Sequence, residues 1–209
     1  MDNTPNITNS ITVSGKILTD FVLSHEVYGE KFYSFYIENR RLSDAVDILP
    51  VIISERLLID ECYAVGDNVL IEGQIRSHNN FDGIKTHLKL SIFVKSISPT
   101  EEMCNPVNRI MLDGFICKKP VYRTTPFGRE IADILLAVNR AYGKSDYIPA
   151  ICWGRNAKFA SNLEVGTNIS LSGRMQSRDY RKQLDNGEVI TKTAYEVSAS
   201  KIEQKDFIY

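Results

Sequence analysis

Asp146-Tyr147-Ile148-Pro149-Ala150-Ile151-Cys152-Trp153, followed by Gly154 and Arg155-Asn156-Ala157-Lys158-Phe159-Ala160-Ser161-Asn162, changes its period halfway along. The first eight residues alternate, with Ile148, Ala150 and Cys152 on one face and Tyr147, Pro149, Ile151 and Trp153 on the other, as in a strand. Arg155 to Asn162 suits one short helix, and Val165-Gly166-Thr167-Asn168 is a turn into a second alternating stretch. Working outward, strands are expected near 108–118, 129–140, 147–153, 168–180 and 189–202. The helix therefore falls between the third and fourth strands. Five strands with a helix there is the plan of the OB-fold, a small, partly open barrel. A β-sandwich has a similar strand count. The helix position and Gly114, inside an apolar first strand where a small barrel needs a bulge or sharp bend, favour the barrel.

The same plan occurs twice. Val13-Ser14-Gly15-Lys16-Ile17, Tyr28-Gly29-Glu30, Asp47-Ile48-Leu49-Pro50, Val65-Gly66-Asp67-Asn68 and Gly73-Gln74 return as Leu112-Asp113-Gly114-Phe115-Ile116, Phe127-Gly128-Arg129, Asp146-Tyr147-Ile148-Pro149, Val165-Gly166-Thr167-Asn168 and Gly173-Arg174. An offset of about a hundred residues is too long for a solenoid and matches two tandem domains. The chain is expected to be all-β: an acidic, degenerate OB-fold at 1–98, a linker at 99–107, a second OB-fold at 108–204 and a short tail at 205–209. Residues 1–9 are polar and expected to be frayed. A helix from Glu55 to Cys62 is expected to match the one at Arg155.

The net charge of −1 hides a division. Residues 1–104 carry 9 Lys+Arg against 15 Asp+Glu, a net of −6, and residues 105–209 carry 16 against 11, a net of +5. The second half is thus the one suited to a polyanion. Cys62, Cys104, Cys117 and Cys152 form no C-x-x-C pair, and His25, His78 and His87 all lie in the first half. Free thiols, no metal site and a cytoplasmic location are expected. Neither a signal peptide nor a membrane span is visible, so no membrane partner is expected.

The fourth strand of the second copy puts Arg174, Gln176, Arg178 and Tyr180 in one row, opposite the apolar Ile169, Leu171, Gly173 and Met175. Such a row is ordinarily a solvated face with scattered charge. The third strand adds Tyr147 and Trp153, the single tryptophan, on the side away from Ile148, Ala150 and Cys152. An aromatic pair on a strand is more often core. Here the opposite face can be the core, so two exposed rings need a reason. Rings interleaved with cations suit single-stranded nucleic acid, because bases stack on the rings while cations follow the phosphates. Arg140, Tyr142 and Lys144 after the second strand, Arg181 and Lys182 after the fourth, and Arg129 at the Phe127-Gly128 turn extend that chemistry, on loops able to fold over a strand.

The first copy has Ile48 for Tyr147, Ser54 for Trp153 and Ser43 for Tyr142, and its fourth-strand row reads Glu72, Gln74, Arg76, His78, Asn80. Phe81, Arg40, Arg41 and Lys85 remain, which leaves room for weak binding. No catalytic constellation is visible: Gly143-Lys144-Ser145 lacks the upstream glycine of a phosphate loop, which is Val138, and Asp133 and Asp146 read as isolated surface carboxylates. No enzyme activity and no cofactor are expected.

Leu136-Ala137-Val138-Asn139-Arg140, Tyr147 to Gly154 and Gly173 to Tyr180, with Asn108 to Gly114 and Thr193 to Val197, resemble bacterial single-stranded DNA-binding proteins over the whole second copy. The first copy resembles them only through the repeat. The resemblance implies base stacking at Tyr142, Tyr147, Trp153 and Tyr180 and phosphate contacts at Arg140, Arg174 and Arg178. It further implies roles in replication, recombination or repair, and a homodimer that collects four OB-folds. Such proteins usually carry an acidic-tipped tail that recruits other proteins. Here Lys205-Asp206-Phe207-Ile208-Tyr209 follows the barrel, so recruitment by that route is not expected. An OB-fold adaptor of a replication or plasmid-maintenance complex, or a single-stranded RNA binder, are the alternatives.

Overall fold

The structure, a computed structural model, describes residues 8–43, 45–59, 61–81, 86–101, 106–183 and 187–205. Lys85 and residues 206–209 lie outside the described residues, as do the side chains of Phe81, Tyr142 and Lys182. Among the described residues twelve strands form one continuous sheet, six from each half. The first half comprises β1 (Asn9–Ile17), β2 (Val22–Val27), β3 (Glu30–Arg40), β4 (Val46–Ser54), β5 (Asn68–Phe81) and β6 (Thr86–Pro99). The second comprises β7 (Asn108–Ile116), β8 (Val121–Thr124), β9 (Glu130–Asn139), β10 (Ser145–Trp153), α1 (Arg155–Ser161), β11 (Asn168–Gln183) and β12 (Val189–Gln204). Beyond the five strands expected of each copy, β2 and β8 are short edge strands whose side chains are all exposed, so no burial pattern marks them in the sequence.

Each half closes on itself. Lys16 and Ile17 of β1 pair with Glu38 and Ile37 of β3, and Phe115 and Ile116 of β7 pair with Ala137 and Leu136 of β9. Closure brings backbones too near for side chains. A Cβ on Gly15 would sit 2.7 Å from the Glu38 carbonyl oxygen, and one on Gly114 would sit 2.5 Å from that of Ala137. The bulges themselves fall elsewhere, where the register shifts at Glu72/Gly73 and Ser172/Gly173. These glycines are close-approach points of a barrel wall.

α1 buries Ala157 and Ala160 against the barrel. Its counterpart is a 3-10 turn, Glu55–Leu58, capped by the Ser54 hydroxyl and burying none of its residues. The expected helix to Cys62 stops there because a short helix needs a packed face to persist.

The barrels share one hydrophobic core and are joined by β1 and β7, antiparallel from Asn9↔Leu112 to Val13↔Asn108. The join obeys an internal two-fold. The Asn9 side chain clasps the backbone of Ile75 at 2.7 and 2.9 Å, and Asn108 clasps that of Met175 at 2.9 Å twice. Asn9 is therefore buried and ordered within β1, against the expected fraying to residue 9. Asp47 accepts from Arg41 Nε at 2.6 Å, from Arg174 of the other barrel at 3.2 Å and from the Ser177 N–H at 2.7 Å. Asp146 accepts from Arg140 at 2.6 Å, from Arg76 of the other barrel at 3.1 Å and from the Ser77 N–H at 2.6 Å. Asp146 is thus fully buried rather than an isolated surface carboxylate, and Asp133 is ion-paired to Arg123 at 2.7 Å. A buried carboxylate is tolerated only when charge and hydrogen bonds surround it, which each barrel supplies to the other.

Candidate nucleic-acid interface

β10 carries the face anticipated for it. Ile148, Ala150 and Cys152 are buried, while Tyr147 is 47% and Trp153 37% exposed. Trp153 Nε1 donates to the Ser198 hydroxyl on β12 at 3.3 Å, which holds the indole edge and leaves the ring accessible. Between them, Ile151 is buried although it shares their face. Burial pushes the Cys152 thiol up to about 12, so it is an inert core group.

The row on β11 divides at Ser177. Toward the join, Gln176 is buried and donates to Glu196 at 2.8 Å, and Arg174 donates to Gln176 at 3.1 Å besides its ion pair with Asp47. Burial, and then the neighbouring Arg41 charge, lower the pKa of Arg174 from its ordinary value against the pull of Asp47. Away from the join, Arg178 is exposed with Nε 3.6 Å from Glu196, and Tyr180 and Arg181 are exposed. Arg181 and Lys182 lie within β11, which continues to Gln183, rather than in the loop beyond it.

Arg140 belongs to the join as well: it donates to Asp146 and, at 3.2 Å, to the Ser77 carbonyl. The segment after it is a compact 3-10 turn, Ala141–Gly143, closed by the Arg140 N–H on the Lys144 carbonyl at 2.7 Å. Lys144 and Arg129 are exposed at the tips of turns. Exposed on the second barrel, then, are Tyr147, Trp153, Arg178, Tyr180, Arg181 and Lys144, with Arg178 and Tyr180 on one face of β11 and Arg181 on the other. Arg140, Arg174 and Gln176 sit where the barrels meet.

A further group escaped the sequence pattern. Tyr36, Lys89, Lys192 and Tyr195 line a groove of about 650 Å³ between the first barrel and the β11–β12 hairpin of the second. Only the pairing of the two barrels brings them together. Among the described residues no group of three or more His, Cys, Asp or Glu side chains could hold a metal ion, and no helix is long and apolar enough to cross a membrane.

Residues 107–204 match the model of the Single-strand binding protein family. Over 84 residues the chain is 38% identical to Single-stranded DNA-binding protein 1 of Staphylococcus aureus, covering 37% of this chain and 50% of that protein. It is 36% identical over 84 residues to Single-stranded DNA-binding protein A of Bacillus subtilis, covering 37% and 49%. The chain spans about half the length of the curated relatives it matches. Among solved structures, the crystal structure of wild-type single-stranded DNA binding protein from Thermus aquaticus superposes with a TM-score of 0.74 at 18% identity, covering 95% of this chain and 93% of that one. That likeness extends the shared fold to both barrels.

Proposed function

We propose that this chain, whose residues 107–204 match the model of the Single-strand binding protein family, is a member of that family and binds single-stranded DNA with little regard to sequence. The observation that carries this reading is the β10 face, where Tyr147 and Trp153 stand exposed over a fully buried opposite row. Bases stack on such rings for about 1–3 kcal/mol each, and every base offers a π-face. Arg178, Arg181, Lys144 and Arg129 are the exposed cations that this reading assigns to phosphates. Arg140, Arg174 and Gln176 act at one remove, by fixing the second barrel against the first. Single strands of this kind arise in replication, recombination and repair.

The test is titration of the full chain with oligo(dT), oligo(U) and duplex DNA at two salt concentrations, following Trp153 fluorescence. Quenching and tight binding by oligo(dT), with weak duplex binding, is the expected result. Unquenched fluorescence with Trp153→Ala binding as the wild type would overturn it, and stronger binding of oligo(U) would redirect it to RNA. We also propose a homodimer with four barrels, for which sedimentation is the check: a monomer removes that claim alone.

A further inference from the structure

The first barrel lacks the rings of the second, yet its outer face is roofed. The β11–β12 hairpin crosses it, leaving the groove of about 650 Å³ between them. We infer that this groove is a second single-strand segment, in which the degenerate barrel binds with aromatic side chains lent by its neighbour. The inference rests on the function proposed above.

Three features point to a strand as the occupant. The first is the pairing of rings. Tyr36 on β3 is 40% exposed, and Tyr180 on β11 is 38% exposed. Both line the groove with Tyr195 on β12, so stackable surfaces face it from both barrels. Burial first, then the neighbouring Tyr36 and Asp179, push the Tyr195 phenol up to about 12, which keeps that ring neutral beside phosphates.

The second is charge. Lys89 from the first barrel and Lys192 from the second line the groove against one carboxylate, Glu196, with His78 beside them as a neutral imidazole. Glu196 already accepts from Gln176 at 2.8 Å and faces Arg178 at 3.6 Å, so its charge is locally answered. A cationic trough with apolar walls suits a polyanion that carries flat bases.

The third is continuity. Pro149 lines the groove and shares its face of β10 with Tyr147 and Trp153, and Tyr180 belongs to both regions. A strand leaving the second barrel's platform therefore reaches the groove over a surface that Pro149 and Tyr180 make continuous.

The experiment compares wild type, Tyr36→Ala, Tyr36→Phe and Lys89→Glu as full chains, titrated with oligo(dT) of about 8 and about 35 nucleotides, lengths bracketing one and several OB-fold sites. In the wild type the long oligonucleotide is expected to bind far more tightly than the short one. Tyr36→Ala and Lys89→Glu should each weaken long-oligonucleotide binding about tenfold, leaving short-oligonucleotide affinity and Trp153 quenching unchanged. Tyr36→Phe, which keeps a ring, should behave as wild type. Lys89 is exposed, so its variant does not depend on refolding a core. Identical length dependence in Lys89→Glu and wild type overturns the groove as a strand path while the second-barrel platform stands. Absence of Trp153 quenching in the wild type overturns both. Photocrosslinking of a halogenated oligo(dT) to Tyr36 or Tyr195 supports the inference, and crosslinking confined to the second barrel's β10 face overturns it.

Discussion

The two barrels agree where they touch each other and disagree where they face outward. Asp47 with Ser177 and Asp146 with Ser77 make matching contacts across the join, and beside it Asn9 and Asn108 make matching contacts within their own barrels. One variation sharpens the point. Gln74 and Arg76 in the first barrel become Arg174 and Gln176 in the second, with order reversed, and each arginine still reaches the other barrel's aspartate while bonded to its own glutamine. On the outer face, by contrast, Tyr147 and Trp153 stand opposite Ile48 and Ser54. The join is held to a chemistry that tolerates only rearrangement, while the outer faces have been free to diverge. Structure is shared and binding surface is divided.

The largest expected effect lies in the shared part. Asp146→Ala leaves Arg140 and Arg76 facing each other in a partly buried site. Removing one partner of a buried pair costs about 3–5 kcal/mol, and the lower end applies because these arginines keep some solvent contact. Asp47→Ala should cost a similar amount, measured by chemical denaturation. A large difference between the two would show that the internal two-fold is not energetic.

The next effect belongs to the divided part. Tyr147→Ala and Trp153→Ala should each weaken oligo(dT) binding by about 1–3 kcal/mol, read by anisotropy. Ile48→Ala, at the matching exposed position of the first barrel, should change it by less than about 0.5 kcal/mol. Equal losses at Ile48 and Tyr147 would break the division of labour.

Salt dependence separates cations on the join from cations on the face. Each phosphate neutralised on a single strand contributes about −0.7 to the slope of log affinity against log salt. Arg181→Ala should flatten the slope by about that amount. Arg174→Ala should lower stability and leave the slope nearly unchanged, because its charge answers Asp47. If Arg174→Ala flattens the slope as much as Arg181→Ala, Arg174 contacts the strand after all.

That contrast also marks what the sequence could reveal. Alternation along β10 is a property of one strand, so Ile148 and Cys152 inside and Trp153 outside were readable from eight residues. The repeat, with its glycines, made two barrels readable as well. Arg174, Gln176, Arg140 and Asp146 were not, because alternation reports inside and outside of one barrel only. The outside of each barrel near β5 or β11 is the inside of the join, and only the packing of one half on the other reveals it. The groove is hidden for the same reason: Tyr36 and Tyr195 are distant in sequence and belong to different barrels.

The smallest expected effect is a pH dependence confined to the first barrel's side. His78 occupies the position that is Arg178 in the second copy, so a titrating group stands where the other barrel has a fixed charge. Burial, then the charges of Lys89 and His25, lower the His78 pKa from its ordinary value. In the free protein His78 is therefore neutral at neutral pH, and the stability this neutral form contributes is lost as pH falls through its depressed pKa. A phosphate in the groove favours the charged form and raises the pKa in the complex. Binding then takes up a proton, and affinity increases as pH falls from the His78 pKa of the complex toward the lower one of the free protein, by at most about tenfold per pH unit. The increase should appear with long oligo(dT), be absent with short oligo(dT) held on the second barrel, and vanish in His78→Gln. A pH response of equal size for both lengths, or one that survives His78→Gln, would place the titrating group elsewhere.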